Sequence, residues 1–390
     1  MKKQLLSIIA ATTAFTAFAQ LPVSTTPSNR KLILEEFTGI TCTYCPDGHK
    51  KADQIIAFYP GNAYAINIHV GGYANPASGA PDFRTAFGTA IAGQSNLTGY
   101  PAGTVNRQLF SAYSQNTTTP GTAQSRGYWA TTAAQVINQA SNLNVALQGT
   151  IDAATNILTV AAEVYYTGNS VNPTNYFNLA LVQDSVLGPQ TGGLTYYPAM
   201  WYASNPVGKQ YQHNKMLRHM ITGQWGDLIS TTTTGYTFAK TYTYSIPAQY
   251  PLTVSGGAIK TNVLLSKLKL VAFVTETQQN IISGNSGPIT IVNGFPTGVT
   301  KYDASEEFSA NLFPNPTSDK ATLALLISKN EKVAVKMFNI LGAEVFNYSA
   351  ELEKGIHSIE LDASNLTTGI YFVKIIVGNK ITTEKLTVSK

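Results

Sequence analysis

The sequence predicts a multidomain chain in which an α/β unit precedes all-β units, and three observations carry that prediction. At 390 residues the chain is longer than one ordinary hydrophobic core encloses. Its first third alternates short apolar runs with stretches whose apolar residues recur at helical spacing, as in a layered α/β unit. From residue 143 onward, period-two alternation broken by Gly, Pro and Asn takes over, the pattern of antiparallel sheets.

Composition excludes several function classes. Charged residues are only 12% of the chain, and Thr, Asn, Gln, Gly and Tyr fill much of the polar remainder, which suits β-rich globular domains rather than disorder. The net charge of +5 is spread thinly, with no Lys/Arg block, so the sequence carries no electrostatic footprint for nucleic acid or an anionic membrane. No phosphate loop or metal signature appears, and no cofactor is expected.

In order along the chain, residues 1–19 read as a signal peptide: Lys2 and Lys3, a short apolar run over 5–18, and Ala17 and Ala19 flanking Phe18 before a cut at Gln20. The apolar run is shorter than a bilayer requires, and no later stretch reads as a membrane-spanning segment. Residues 20–30 form a Pro/Ser/Thr-rich leader. The α/β unit covers 31–141, beginning with an apolar strand over 32–37 in which Glu36 shares the face of Leu32 and Leu34 while Glu35 takes the other. Ala52, Ile55, Ile56 and Tyr59 mark a helix stopped by Pro60 and Gly61, a strand follows over 63–70, and helices are expected over 81–92 and 128–139, with a third strand after Pro101.

Between the first strand and its helix lie Cys42 and Cys45, the two cysteines of the chain, with Thr43 and Tyr44 between them. Two thiols at this spacing can close a small disulfide ring or share a metal. A loop so short constrains little unfolded-chain entropy, so a Cys42–Cys45 disulfide would be a weak global staple, which leaves redox chemistry or a local clamp. Zinc needs about four ligands. The nearby additions are His49, read as a solvated helix residue, and His69, read as a strand residue with a backbone partner.

The order strand, Cys-x-x-Cys, helix, strand, helix, Pro, strand resembles a thioredoxin-like domain. The resemblance implies a buried carboxylate six positions before the first cysteine, here Glu36, and a cis-proline opposite the pair, here Pro101. Thr41 stands where many members carry tryptophan. A thiol at a helix N-terminus is stabilised as thiolate by the helix dipole. Cys42 is thus expected as the exposed attacking sulfur, Cys45 as the resolving one, Glu36 as proton acceptor and Pro101 as a wall of a peptide groove, with a protein thiol or disulfide as substrate.

Residues 142–290 read as an antiparallel β-sandwich, immunoglobulin-like in size, with strands over 143–151, 158–166, 176–182, 236–246 and 264–275. An insert over 190–227 is rich in Tyr, Trp, Gly and Pro, and reads either as an aromatic binding surface or as an ordered loop over a sheet edge. Within it His213 and His219, six apart, fall on different faces of a helix, against chelation. Residues 35–39, the Cys-x-x-Cys-Pro stretch and Leu217-Arg218 together resemble the Omp28-related surface proteins of Bacteroidetes.

After a linker over 291–308, residues 309–390 open with Asn311-Leu312-Phe313-Pro314-Asn315-Pro316 and contain Gly369-Ile370-Tyr371 before a final run over 385–390. This pattern is that of a small β-sandwich and is similar to the type A C-terminal sorting domain of type IX secretion. The resemblance implies the type IX machinery as partner and export across the outer membrane to the exterior or the cell surface. Two functions stand from the sequence: a surface thiol-disulfide oxidoreductase, or a non-catalytic binding or adhesion protein whose Cys42–Cys45 bond is a clamp.

Overall fold

The computed structural model describes residues 21, 23–202, 210–292, 308–327 and 329–390. The expected signal peptide over 1–19, most of the linker over 291–308 and the 203–209 part of the insert lie outside the described residues. Strands of three or more residues are numbered in chain order, as are helices of eight or more.

The first part comprises β1 (Leu32–Thr38), α1 (Cys45–Phe58), β2 (Ala63–His69), α2 (Ala86–Gly93), β3 (Ala102–Val105) and α3 (Trp129–Ile137). The second comprises β4 (Leu143–Asp152), β5 (Ile157–Tyr166), β6 (Asn175–Gln183), β7 (Val186–Gly188), β8 (Gln210–His213), β9 (Met216–Met220), β10 (Asp227–Ile229), β11 (Thr237–Ser245), β12 (Leu268–Thr275), β13 (Ile281–Gly287) and β14 (Ile289–Val292).

Every residue of β1 is buried, because the strand is flanked on both edges and covered on both faces. It runs parallel to β2 and antiparallel to β3. Leu32 and Leu34 pack with Ala52 and Ile55 of α1 and with Trp129, Ala133 and Val136 of α3. Ile33 and Phe37 join the other face, with Ile91 and Ala92 of α2. The helix expected over 81–92 starts later, at Ala86. Thr85 caps it by accepting a hydrogen bond from the Gly88 amide at 2.9 Å, so the preceding turn stays outside the helix.

The second part is a β-sandwich. The sheet β11-β5-β4-β14 is antiparallel except for β14, which runs parallel to β4. Its inner side chains, among them Leu147, Leu158, Val160 and Tyr166, pack on Phe177, Leu179, Leu181, Leu270 and Val274 of β6 and β12.

Those facing strands belong to a nine-stranded sheet that also contains the first part: its order is β13-β12-β6-β9-β2-β1-β3 and then Gln124–Ser125, with β10 on β6. Strands from both sides of the position between residues 141 and 142 therefore share one sheet. The joint is β9, which comes from the insert: it pairs antiparallel with β6 and meets β2 in parallel at Met216 and Asn67. The Asn67 amide donates to the Lys215 carbonyl at 2.8 Å and its side chain to the Asn214 carbonyl at 3.0 Å. His213 and His219 accordingly lie on two strands, not on a helix.

Gly103 of β3 faces Glu36 of β1, and a Cβ there would lie 2.9 Å from the Glu35 carbonyl oxygen and 3.0 Å from the Trp129 ring. Since backbone cannot step aside as a flexible side chain can, Gly103→Ala is expected to destabilise the protein by about 1–3 kcal/mol. A urea midpoint unchanged by the substitution would show that β1 and β3 separate more easily than this packing implies.

The last part is a second sandwich, of a three-stranded sheet β15 (Phe308–Phe313), β16 (Lys320–Ile327) and β19 (Gly355–Asp362), and a four-stranded sheet of β17 (Glu331–Asn339), β18 (Glu344–Leu352), β20 (Gly369–Val377) and β21 (Lys380–Val388). Leu323, Leu325, Val335, Met337, Val373 and Leu386 fill its core. The two sequence ends of this part meet: Asn315 accepts from the Thr387 amide at 2.8 Å and donates to the Lys385 carbonyl at 2.6 Å.

Candidate functional site

β1 delivers the chain into a tight turn that ends in α1. The Cys42 amide donates to the Gly39 carbonyl at 3.1 Å and the Cys45 amide to the Cys42 carbonyl at 3.3 Å, so the turn is closed by its own backbone. Tyr44 is the N-cap, Cys45 heads the helix and Pro46 occupies its first turn, where a missing N–H costs nothing. Cys42 and Cys45 are joined by a disulfide with their Cα atoms 5.4 Å apart.

Glu36, fully buried, points to the α1 face as the alternation of β1 predicts. Gly48, one turn into α1, makes room for it: a Cβ at Gly48 would sit 2.5 Å from Glu36 Oε1 and 3.0 Å from Pro101 Cβ. The Tyr100–Pro101 peptide is cis. Glu36, the head of α1 and Pro101 are thus brought together, and neither carboxylate oxygen of Glu36 has a hydrogen-bond partner among the described residues. Burial first, then the Asp53 carboxylate, push its carboxyl well above the ordinary value and favour the protonated form.

The sequence reading missed much of what surrounds this carboxyl. His49 is not solvated: it is 6% exposed, with Nε2 at 2.9 Å from Thr38 Oγ1 and Nδ1 at 2.8 Å from the Tyr211 hydroxyl, because α1 turns that face onto β8. His69 has no backbone partner, since both ring nitrogens are buried without a hydrogen bond among the described residues. Its ring packs against Phe83 and His213, each at 5.1 Å between centroids. Burial, then Lys215, hold His49 down at about 3; burial, then His49, hold His213 at about 3. His69 is pushed well below its ordinary value by burial and then by His213 and His49. The one legible signal was period two: His213 shares the parity of Tyr211 on β8. Among the described residues no group of His, Cys, Asp or Glu is arranged to hold a metal ion.

Cys42 is not open to solvent either. It is 3% exposed and Cys45 is 0% exposed. Two neighbours close over the turn. On one side the Thr41 amide donates to the Tyr73 carbonyl at 3.0 Å, and Gly39 fits against the Tyr73 backbone where a side chain would collide. On the other, residues 190–197 of the insert lie across it, with the Thr191 amide donating to the Ile40 carbonyl at 2.8 Å. Residues 190–197 of the insert are therefore a cover over the turn rather than a free aromatic surface.

Comparison with known proteins places the chain. A family model described as outer membrane protein Omp28 matches residues 89–286, about half of the sequence, beginning after the Cys-x-x-Cys turn. A second, described as a secretion system C-terminal sorting domain, matches residues 311–389. No curated protein matches the sequence. Among solved structures, HBP35 of Porphyromonas gingivalis is similar over 93% of this chain and 99% of that one, at 14% identity and a TM-score of 0.49. A domain of the outer membrane lipoprotein Omp28 from the same organism is similar over 39% of this chain and 90% of that one, at 14% identity and a TM-score of 0.24. The C-terminal match makes the type IX secretion machinery a partner of the last sandwich and directs the protein across the outer membrane to the cell surface. No helix among the described residues is long and apolar enough to cross a membrane. With half its length matched by one family and its end by a sorting signal, the chain belongs to the Omp28 family of outer membrane proteins.

Proposed function

We propose that this surface protein is a thiol-disulfide oxidoreductase. In this reading residues 31–141 are a thioredoxin-like unit, 142–290 a sandwich of immunoglobulin type and 309–390 the sorting domain, with 1–19 as signal peptide and 20–30 and 291–308 as leader and linker. The observation that carries the proposal is Glu36. A buried carboxyl with no hydrogen-bond partner among the described residues is costly to keep. A permanent clamp has no use for one, whereas a disulfide that opens and closes needs a proton site beside its buried sulfur.

In the direction that reduces a partner, Cys42 thiolate attacks one sulfur of the partner's disulfide, and the partner's other sulfur leaves as thiolate and takes a proton from water. Glu36 first releases its proton to water, the carboxylate then takes the proton of the Cys45 thiol, and the Cys45 thiolate attacks Cys42 Sγ. The mixed bond breaks, the second partner sulfur leaves, and two electrons have passed from the Cys42–Cys45 dithiol to the partner. Pro101 forms the wall beside Gly48 against which the partner chain lies.

The burial of Cys42 and Cys45 favours the second reading, a surface binding protein with a structural bond. The equilibrium reduction potential of the pair separates the two. A value between about −120 and −270 mV is expected for exchange, and one below about −300 mV would mark a clamp and sink the redox proposal. Glu36→Gln, which keeps the shape and removes the titrating proton, is expected to slow the resolving step about 100-fold at neutral pH.

A further inference from the structure

The cover over the disulfide is fastened at its tip mainly by polar and stacking contacts. Gln190, 4% exposed, donates its side-chain amide to the Gly39 carbonyl at 3.1 Å and to the Cys42 carbonyl at 3.0 Å, while its own side-chain oxygen has no hydrogen-bond partner among the described residues. Thr191 pairs by backbone with Ile40. Gly192, at φ 75°, presses on the Thr43 carbonyl so closely that any side chain there would collide with it. Farther along, the Tyr196 ring packs on Tyr44 at 5.1 Å, and the Tyr197 hydroxyl donates to Asp53 at 2.8 Å.

The apolar anchors lie elsewhere. Val186 and Tyr211, on the paired strands β7 and β8, are 4% and 1% exposed, whereas Leu194 at the tip is 59% exposed. The tip touches the Tyr211 and Trp201 rings through Gly193, where an added Cβ would lie 2.8 Å from each, and consecutive glycines at 192 and 193 give it a place to bend against that contact.

We propose that residues 190–197 are a strap seated in the exchange groove. The strap occupies the place of an extended polypeptide partner, and the Cys42–Cys45 bond reacts only while it is displaced. Exchange by thiolate attack requires access to a sulfur, which the closed strap denies. The partner that displaces it is a cysteine-bearing segment in extended conformation. Such a segment supplies a backbone N–H to the Ile40 carbonyl and an aromatic ring to Tyr44, as the strap now does. The regulatory meaning rests on the oxidoreductase proposal; the physical gating does not.

The test is the rate at which dithiothreitol, and separately a phosphine, reduce the Cys42–Cys45 bond in the full mature chain, read by thiol labelling and mass. Gln190→Ala is expected to raise both rates at least ten-fold, and Tyr196→Ala, at a half-buried position on the strap's outer part, several-fold. Circular dichroism and the unfolding midpoint establish that each variant is folded. Rates within two-fold of the parent in folded Tyr196→Ala and folded Gln190→Ala would overturn the strap as barrier. Should Gln190→Ala fail to fold, Tyr196→Ala alone decides. Accelerated reduction in the variants, combined with a parent potential outside the exchange range, would retain the strap and remove the redox reading.

Discussion

Arg107→Ala is expected to cost about 3–5 kcal/mol, the largest loss of any single substitution considered for this protein. Arg107 and Glu35 are 1% and 0% exposed. The guanidinium donates from Nε to Glu35 Oε2 at 2.7 Å and from a terminal nitrogen to Oε1 at 2.6 Å, and Thr104 adds a third donor at 3.2 Å. Its remaining arm donates to the Gln278 carbonyl at 3.0 Å, and its plane lies 5.1 Å from the Phe273 ring centroid. Removal of the arginine leaves a carboxylate on β1 in a dry interior with a single hydroxyl for company, and also unfastens the 276–280 loop. The penalty comes from breaking the pair, not from the worth of the pair itself. A double substitution, Glu35→Leu with Arg107→Met, is therefore expected to recover most of the loss. Urea unfolding of the two variants checks both statements, and a loss below about 1 kcal/mol for Arg107→Ala would mean that water reaches Glu35.

Acidification is expected to be the second large effect. His49 and His213 titrate at about 3 in the folded protein against 6.5 for a free histidine, so between those values the unfolded chain binds protons that the folded one refuses. Above pH 6.5 both states are neutral at these sites and nothing is lost. Below it, each histidine removes about 1.4 kcal/mol per pH unit, about 4 kcal/mol for the two together at pH 5. His69, also lowered, acts in the same direction. Glu36 opposes them, because its raised carboxyl binds a proton in the fold that the unfolded chain has released above its own ordinary value, so its contribution improves as pH falls. Lys215 and Arg218 face the cluster and strengthen the exclusion of further positive charge. With three histidines against one carboxyl, the melting temperature is expected to fall steadily from pH 6.5 to pH 4.5; a flat profile would show the histidines to be in contact with solvent.

What the sequence made legible was what depends on neighbours along the chain. The alternation in β1 separates Glu36 from Glu35 onto opposite faces, and the structure adds that one meets α1 while the other meets Arg107. The helix that follows the cysteines and the antiparallel ladders after residue 143 followed from local spacing and turn residues. Lost were the relations made across distance. Nothing near His49 announces Tyr211, 162 positions away, so an amphipathic helix read His49 as solvated. Nothing in the insert's Gly, Tyr and Trp content told a strap over the cysteines from an exposed surface, because exposure is decided by the Gly39, Ile40 and Cys42 carbonyls that Gln190 and Thr191 reach. Met216–Met220 carried too short an apolar run to be recognised as a central strand.

The position of that short strand also sets the order in which the molecule can assemble. β2 and β6 each wait for β9 as a neighbour, and β9 lies roughly 150 residues after β2 in the chain. Until it is in place, the folding chain carries raw strand edges on both sides of the gap, and closing them requires a loop spanning much of the sequence. The slow step of folding therefore belongs to the stretch from β1 to β13 as a whole. The turn of Cys42 and Cys45, covered by residues of the same insert, is among the last places to become dry.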